Sequence, residues 1–169
     1  MKIKIKNIED GVHLFEFEET PVNLGLDSPF CDTIKVNCKL DKSQSQFVLN
    51  CDLNVHTNFE CDRCSKEFNA ELNQEFKLFY FYDEDNIDQD DSNSFYLSPE
   101  EDYIDITSEV VDYAHLAIPM KVLCSEECKG LCAGCGADLN IEKCNCSKDE
   151  VRPEWEELLK LKEKLNNKG

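Results

Sequence analysis

Cysteine is the residue type in this chain with the most potential for chemistry. The sequence contains 11 cysteines, and eight of them fall in closely spaced pairs. A Cys-x2-Cys spacing lets a tight turn bring two thiolates to one metal ion, and Zn²⁺ prefers soft ligands in a tetrahedron. The four pairs, in chain order, are Cys61/Cys64, Cys124/Cys128, Cys132/Cys135 and Cys144/Cys146. These spacings predict zinc sites built from thiolates.

The four pairs differ in how strongly they indicate a metal site. The first and third have the x2 spacing, and Gly134 and Gly136 suit the bent backbone of a metal-binding turn. The second pair is looser, at a spacing that zinc sites also use. The fourth gives the weakest signal, because one intervening residue in a strand points two side chains in opposite directions.

We assign the eight thiols to two structural zinc ions. The stretch from 129 to 147 has few apolar side chains, chiefly Leu131, Leu139 and Ile141, so burial alone would not order it. A metal can replace that missing core. The predicted ligands are Cys132, Cys135, Cys144 and Cys146 at one site, and Cys61, Cys64, Cys124 and Cys128 at the other. Exchange of pairs between the sites, or a single zinc with spare thiols, are the alternatives.

Two catalytic interpretations of the cysteines are weaker. Dithiol–disulfide enzymes also use a Cys-x2-Cys spacing, but at a helix N-terminus, whereas the first pair lies between two strand patterns with no βαβ unit around it. Catalytic zinc needs an open coordination position, and sites with four cysteines are closed. The sequence therefore predicts that the protein is not an enzyme.

Three cysteines, Cys31, Cys38 and Cys51, lie outside the pairs. Cys38 and Cys51 share the apolar phase of their strands, so we expect small buried residues there. The N-terminus lacks the apolar run of a secretory signal, which predicts a cytoplasmic protein with reduced thiols. The isolated histidines are not expected to bind metal.

Alternating apolar and polar residues predict the strands that position the cysteine pairs. The predicted strands cover residues 2–6, 12–18, 34–40, 47–61 and 68–82, with short strands at 95–97 and 103–106. We expect the first two to form a hairpin. The two longest should form an antiparallel pair that turns at the first cysteine pair.

Helical periodicity appears twice. One amphipathic helix is predicted near 108–118 and ends before Pro119, and a final helix starts at Pro153. The predicted fold class is α+β: a mostly antiparallel, barrel-like sheet, a mid-chain helix, a Cys-rich zinc module and a C-terminal helix. The predicted domains are a β-rich domain at 1–123, with an acidic loop near 83–94, the zinc module at 124–147 and the C-terminal helix at 148–169.

The charge of the chain limits its partners. The formal net charge is −18, and 12 acidic residues lie between positions 83 and 112 without any Lys or Arg. Extensive direct binding to nucleic acid is disfavoured, because phosphate backbones are bound mainly by clustered cations. The acidic surface would attract a basic partner, or it serves solubility alone. The sequence contains no run of eighteen apolar residues, so no membrane-spanning helix is predicted.

Two segments resemble the bacterial YceD-like family. They are residues 59–68, FECDRCSKEF, and residues 123–140, from the second cysteine pair through the third and on to Asn140. The resemblance extends to the order of parts: a β-rich start, the first pair, an acidic middle, a helix, a Cys-rich segment and a closing helix. It therefore spans essentially the whole chain.

This resemblance implies a role, and no reaction. Members support accumulation of large-subunit (23S) ribosomal RNA in the bacterial cytoplasm, with a relative in chloroplasts. Their tendency to be encoded beside a large-subunit ribosomal protein implies a ribosomal protein or assembly intermediate as partner. Together with the charge, this predicts a non-enzymatic ribosome-biogenesis factor that acts through a basic ribosomal protein.

Three alternatives remain open beside this hypothesis. The zinc module could bind RNA directly, the protein could be a cytosolic thiol–disulfide redox protein, or it could be a structural zinc domain whose acidity has no partner. Direct RNA binding would use the few basic residues near the module, namely Lys121, Lys129, Lys143, Lys148 and Arg152. The oligomeric state does not follow from the sequence.

Overall fold

The computed structural model describes residues 1–83, 85, 87 and 91–146. The chain forms two compact units, Met1–Glu126 and Glu127–Gly169. The elements are β1 Lys2–Lys4, β2 Gly11–Glu19, a 3-10 turn at Pro21–Leu24, β3 Phe30–Lys42, β4 Gln46–Glu60, β5 Glu67–Phe81, β6 Ser94–Tyr96, β7 Tyr103–Asp105 and α1 Thr107–Leu116. The division into three domains predicted from the sequence stays a prediction.

A five-stranded sheet in the order β2-β3-β4-β5-β6 dominates the first unit. The longest ladder joins β4 to β5 without a break, from Gln46 opposite Phe81 to Glu60 opposite Glu67. Period-two alternation directs apolar side chains to one face, where Leu49, Leu53 and Leu78 are at most 1 % exposed. The predicted long antiparallel pair is confirmed.

The predicted fold class is wrong about the proportion of helix to strand and about a barrel-like sheet. The described residues form a mostly β structure with one α-helix, and β6 pairs parallel to β5, so the sheet is mixed. A barrel requires its two edge strands to pair, but the edges β2 and β6 do not. The second predicted helix, which begins at Pro153, lies outside the described residues.

The predicted N-terminal hairpin is also wrong. β1 pairs with β7, a hundred residues later, and β2 pairs with β3. The reason is burial, since Ile3 is fully buried opposite Ile104, which is 2 % exposed. A local turn signal carried no information about that distant strand.

The helix α1 confirms the predicted mid-chain helix and closes one side of the core. Val110 and Ala114 on its inner face are fully buried. Its Tyr113 ring stacks on Phe76 of β5, with centroids 4.3 Å apart and an interplanar angle of 8°. Among the described residues, no helix has the length and apolarity needed to cross a membrane.

The described part of the second unit, residues 127–146, is a set of turns with little apolar burial. The Leu131 side chain is 42 % exposed and that of Ile141 is 84 % exposed. Backbone bonds close the turns, with the N–H of Cys132 donating to the Ala137 carbonyl at 2.8 Å. Hydrophobic burial contributes little order to this segment.

Candidate metal centres

The first cluster gathers four cysteines that lie far apart in sequence. The Sγ atoms of Cys61, Cys64, Cys124 and Cys128 all lie within 4.8 Å of one another. Cys61 and Cys64 come from the corner between β4 and β5, and the Sγ atoms of Cys64 and Cys124 are 3.7 Å apart. Cys124 is half-buried and the other three are buried, so this cluster is largely shielded from solvent.

Reciprocal hydrogen bonds hold the two sides of the first cluster together. The N–H of Asp62 donates to the Val122 carbonyl at 2.9 Å, and the N–H of Val122 donates to Asp62 Oδ2 at 2.7 Å. The corner itself is closed by the N–H of Ser65, which donates to the Cys61 carbonyl at 2.9 Å, with Ser65 at a φ of 53°. These bonds place residues 122–124 against the corner.

The second cluster is compact in sequence and more exposed. The Sγ atoms of Cys132, Cys135, Cys144 and Cys146 also lie within 4.8 Å of one another. The Sγ atom of Cys144 is 3.1 Å from that of Cys132 and 3.5 Å from that of Cys135. Cys135 and Cys146 are exposed, whereas Cys132 and Cys144 are half-buried. Solvent therefore reaches this cluster more readily than the first.

Two glycines allow the turn of the second cluster. A Cβ atom at Gly134 would lie 3.3 Å from the Sγ of Cys146, and the Gly134 N–H donates to the Sγ of Cys132 at 3.4 Å. Gly136 has a φ of 75°, which other residues rarely adopt, and its N–H donates to the Cys132 carbonyl at 2.8 Å. Both glycines serve the thiol arrangement.

Peptide N–H groups favour the thiolate form of one cysteine in each cluster. The backbone N–H of Cys124 lowers the pKa of Cys61 to about 6. In the second cluster, the backbone N–H of Cys135 lowers the pKa of Cys132 to about 6. Hydrogen bonding with the Cys144 side chain instead raises the pKa of Cys146. Because the thiolate is the metal-binding form, both clusters contain a thiol prepared for ligation.

The spacing of the thiols fits a tetrahedral zinc ion. With Zn–S bonds of about 2.3 Å, neighbouring sulfurs of a tetrahedron lie about 3.8 Å apart. The Sγ distances of 3.5 and 3.7 Å lie near that value, and the distance of 3.1 Å between Cys132 and Cys144 is shorter. Two clusters of four cysteines could therefore hold metal ions, and their donor sets are compatible with zinc. The structure groups the eight thiols into the two sets assigned from sequence, while metal ligation by each residue stays a prediction.

Two features of the cysteine chemistry were missed from sequence. Cys38 and Cys51 are buried, as predicted, but they are directly opposite on β3 and β4 and are joined by a disulfide. Their shared apolar phase and the short turn after Lys42 were the available signals. The second feature is Asn140, whose Nδ2 donates to the Sγ of Cys128 at 3.4 Å.

The Asn140 side chain is fixed from two further directions. Its Oδ1 accepts a hydrogen bond from the Lys129 N–H at 2.7 Å, and its Nδ2 also donates to Asp138 Oδ1 at 2.7 Å. Side chains that hydrogen-bond to metal ligands orient them and tune their basicity. Asn140 is placed to do this for Cys128.

The fold and the clusters together define a class: a β-sheet protein with paired-cysteine clusters able to hold structural metal ions. Within that class the sequence identifies the family. The family model described as "Large ribosomal RNA subunit accumulation protein YceD" matches residues 49–162, which include every cysteine of both clusters. The chain belongs to this family, so the resemblance found in the sequence is confirmed.

Two plant relatives carry the name of the same family. The chain is 38 % identical over 82 residues to the chloroplastic "Large ribosomal RNA subunit accumulation protein YCED homolog 1" of Arabidopsis thaliana, covering 48 % of this chain and 25 % of the relative. The Zea mays homolog of the same name is 40 % identical over 68 residues, 40 % of this chain and 22 % of its own length.

The match to the plant proteins therefore spans a quarter of their length or less. A protein of Mycobacterium tuberculosis strain H37Rv, named only as uncharacterized, is 20 % identical over 154 residues, 88 % of this chain and 74 % of its own. No solved structure matches the chain. The family is named for accumulation of large-subunit ribosomal RNA, and that name describes no enzyme.

Proposed function

We propose that this protein is a non-catalytic ribosome-biogenesis factor of the bacterial cytoplasm that supports accumulation of large-subunit (23S) ribosomal RNA. The family membership supports the biological role. A structural, non-catalytic role for metal is supported by the two clusters of four thiols, in each of which all Sγ atoms lie within 4.8 Å of one another. Four thiolates would saturate a zinc ion and leave no position for a substrate, so each metal would have a structural role.

Each zinc ion would link parts of the chain that the sheet does not join. At the first cluster, the thiols of Cys61, Cys64, Cys124 and Cys128 would hold the β4–β5 corner against the segment that follows α1. At the second, the thiols of Cys132, Cys135, Cys144 and Cys146 would fold a segment that has little apolar burial of its own. What zinc supplies at both sites is cross-linking of the fold.

The acidic charge supports a basic protein partner rather than RNA as the direct ligand. Among the described acids between 83 and 112, Asp83, Asp85 and Glu100 are exposed. Among the described acids of this region, ion pairs involve only Asp102, with Lys6 at 2.7 Å, and Asp105, with Lys2 at 3.8 Å, so most of the charge is not offset. We infer that this acidic surface binds a basic large-subunit ribosomal protein and releases it when ribosomal RNA phosphates compete.

The role in cells is tested by deletion of the gene and complementation. Loss of the protein should lower the ratio of large-subunit to small-subunit ribosomal RNA, and the wild-type chain should restore it. An unchanged ratio in the deletion strain would refute the role.

The partner is tested by pull-down of ribosomal proteins with charge-neutralised variants. The acidic-surface variant changes the exposed residues Asp83, Asp85, Glu100, Glu101 and Asp112 to the corresponding amides. Its matched control neutralises five exposed acids elsewhere, Asp27, Asp32, Glu67, Glu71 and Glu75. We expect only the first variant to lose a salt-sensitive ribosomal protein. Equal retention by both variants would refute the acidic surface as the binding site.

The competing RNA-binding hypothesis makes a different prediction. Lys129 and Lys143 in the second unit are exposed and could contact phosphates. Lys129→Glu/Lys143→Glu should weaken RNA binding if the zinc module contacts RNA, and should change nothing if a basic protein is the ligand. Filter binding with large-subunit ribosomal RNA separates the two.

A further inference from the structure

The outer edge of β2 is a long, unbroken strand edge. β2 pairs with β3 over its whole length, from Gly11 opposite Lys42 to Glu19 opposite Ile34. In the part of the chain that the structure describes, no strand pairs with its other side. Natural edge strands are often blunted by charged side chains, especially lysine, by proline or by a bulge. β2 carries glutamates but no lysine or proline, and its ladder with β3 has no register shift.

The hydrogen-bond register shows which backbone groups point outward from this edge. Successive residues of a strand direct their N–H and C=O groups to opposite sides. The N–H of Asn58 on β4 donates to the Pro29 carbonyl at 2.9 Å, on the β3 side. Cys51 lies seven residues earlier, an odd number, so its backbone N–H and C=O groups point to β5. The backbone groups of its partner Cys38 on β3 therefore point to β2.

Two further observations agree with this phase. The Cα atoms of Cys38 and Cys51 are 4.2 Å apart, the close spacing of a pair that is not hydrogen-bonded to each other. On β5, the N–H of Phe79 donates away from β4, to the Asn93 carbonyl at 2.8 Å. Cys38 is opposite Phe15, so the backbone N–H and C=O groups of Phe15 bond to β3. The backbone groups of the residues on either side of Phe15 point away from β3.

The outward-pointing residues are Val12, Leu14, Glu16 and Glu18. Their side chains share the solvent face of the sheet, where Val12 is 55 % and Leu14 is 76 % exposed. On the opposite face, Phe15 and Phe17 pack against the margin of the core and are only partly buried. The edge thus presents free peptide groups between apolar side chains on both faces.

The acidic residues along this edge favour a basic partner. Positions 9–19 contain five acids and no Lys or Arg. Two of the five are paired with lysines of β3, Glu18 with Lys35 at 3.2 Å and Asp10 with Lys42 at 3.1 Å, while no ion pair among the described residues involves Glu16. A second copy of the chain is a poor occupant, because each copy carries a formal net charge of −18.

We propose that β2 binds an extended basic segment of a partner protein by antiparallel strand addition. The outward peptide groups pair with the added strand, its Lys or Arg side chains lie beside Glu16, and its apolar side chains cover the edges of Phe15 and Phe17. This inference rests on the proposed function and deepens it, because it gives the same basic ribosomal protein a second contact, at the edge of the sheet opposite β6.

The test uses a capped nine-residue peptide of alternating lysine and valine, with binding followed by fluorescence anisotropy. Leu14→Pro removes one outward N–H without changing a charge or a bond to β3, and Leu14→Ala is its matched control. We expect Leu14→Ala to bind like wild type and Leu14→Pro to bind about tenfold more weakly. Circular dichroism verifies that the sheet of each variant is intact.

A second measurement needs no protein variant. Residues directly opposite in an antiparallel pair share a face, so lysines beside Glu16 direct their own N–H groups to β2. N-methylation of the lysine backbone nitrogens should abolish binding, and N-methylation of the valine nitrogens should not. A peptide with glutamate in place of lysine should not bind.

Several results would overturn the inference. They are equal binding by Leu14→Pro and Leu14→Ala, equal effects of the two methylation patterns, or binding of the glutamate peptide. So would absent binding of the lysine–valine peptide to the wild-type chain. Full complementation by Leu14→Pro, with failure of the acidic-surface variant, would reject this edge and leave the proposed function standing.

Discussion

Replacing the second cysteine pair, Cys124→Ala/Cys128→Ala, should destabilise the β-sheet unit strongly. The two thiols are half of the first cluster, so their loss would remove the proposed metal link between Cys64 and Cys124, which are 60 residues apart. Closing a loop of that length stabilises the folded state by about 4 kcal/mol in the chain-entropy model. For a unit of this size the loss corresponds to a decrease in melting temperature of roughly 10–15 °C.

The assay is thermal and urea unfolding followed by the far-ultraviolet circular dichroism of the sheet. The matched control is Cys132→Ala/Cys135→Ala, which also removes two thiols but from a cluster confined to residues 132–146. We expect this control to change the sheet's free energy of unfolding by less than about 1 kcal/mol. Equal stability of the two variants, or no effect of a chelator on the wild-type chain, would refute the reasoning.

Three further predictions concern the cysteine clusters, and a fourth concerns the core. Asn140→Ala removes the hydrogen bond to the Cys128 Sγ and should weaken Co²⁺ binding at the first cluster by about tenfold, seen in the thiolate-to-cobalt absorption band; an unchanged affinity would contradict this. Gly134→Ala places a Cβ 3.3 Å from the Cys146 Sγ and should reduce metal retention at the second cluster alone, counted by native mass spectrometry. Because Cys146 is exposed, a chelator should empty the second cluster first, and release of both metals in one step would argue against it. Ile3→Val, at a fully buried position, should cost about 1 kcal/mol in urea unfolding, with no change in metal content.

Local patterns were enough to predict much of the strand content. The period-two alternation from Phe47 to Phe59 identified β4 because every second residue faces the core. Helical spacing located α1, which buries Val110 and Ala114. The assignment of thiols to clusters followed from spacing and from the shortage of apolar side chains after position 129.

The rest depended on contacts between distant residues. Nothing near Ile3 in sequence indicates that its partner is Ile104, and nothing near Ser94 indicates parallel pairing with Phe79 of β5. The disulfide of Cys38 and Cys51 was not predicted, because reduced thiols were expected and the register that places the two residues opposite each other comes from the β3–β4 ladder. The role of Asn140 required the folded turn.

The zinc content of the chain can be measured by native mass spectrometry of the protein purified without added metal, because the intact mass counts the bound ions. We expect two zinc ions per chain, with one remaining in Cys124→Ala/Cys128→Ala and one in Cys132→Ala/Cys135→Ala. A wild-type chain carrying one zinc ion or none would contradict this expectation.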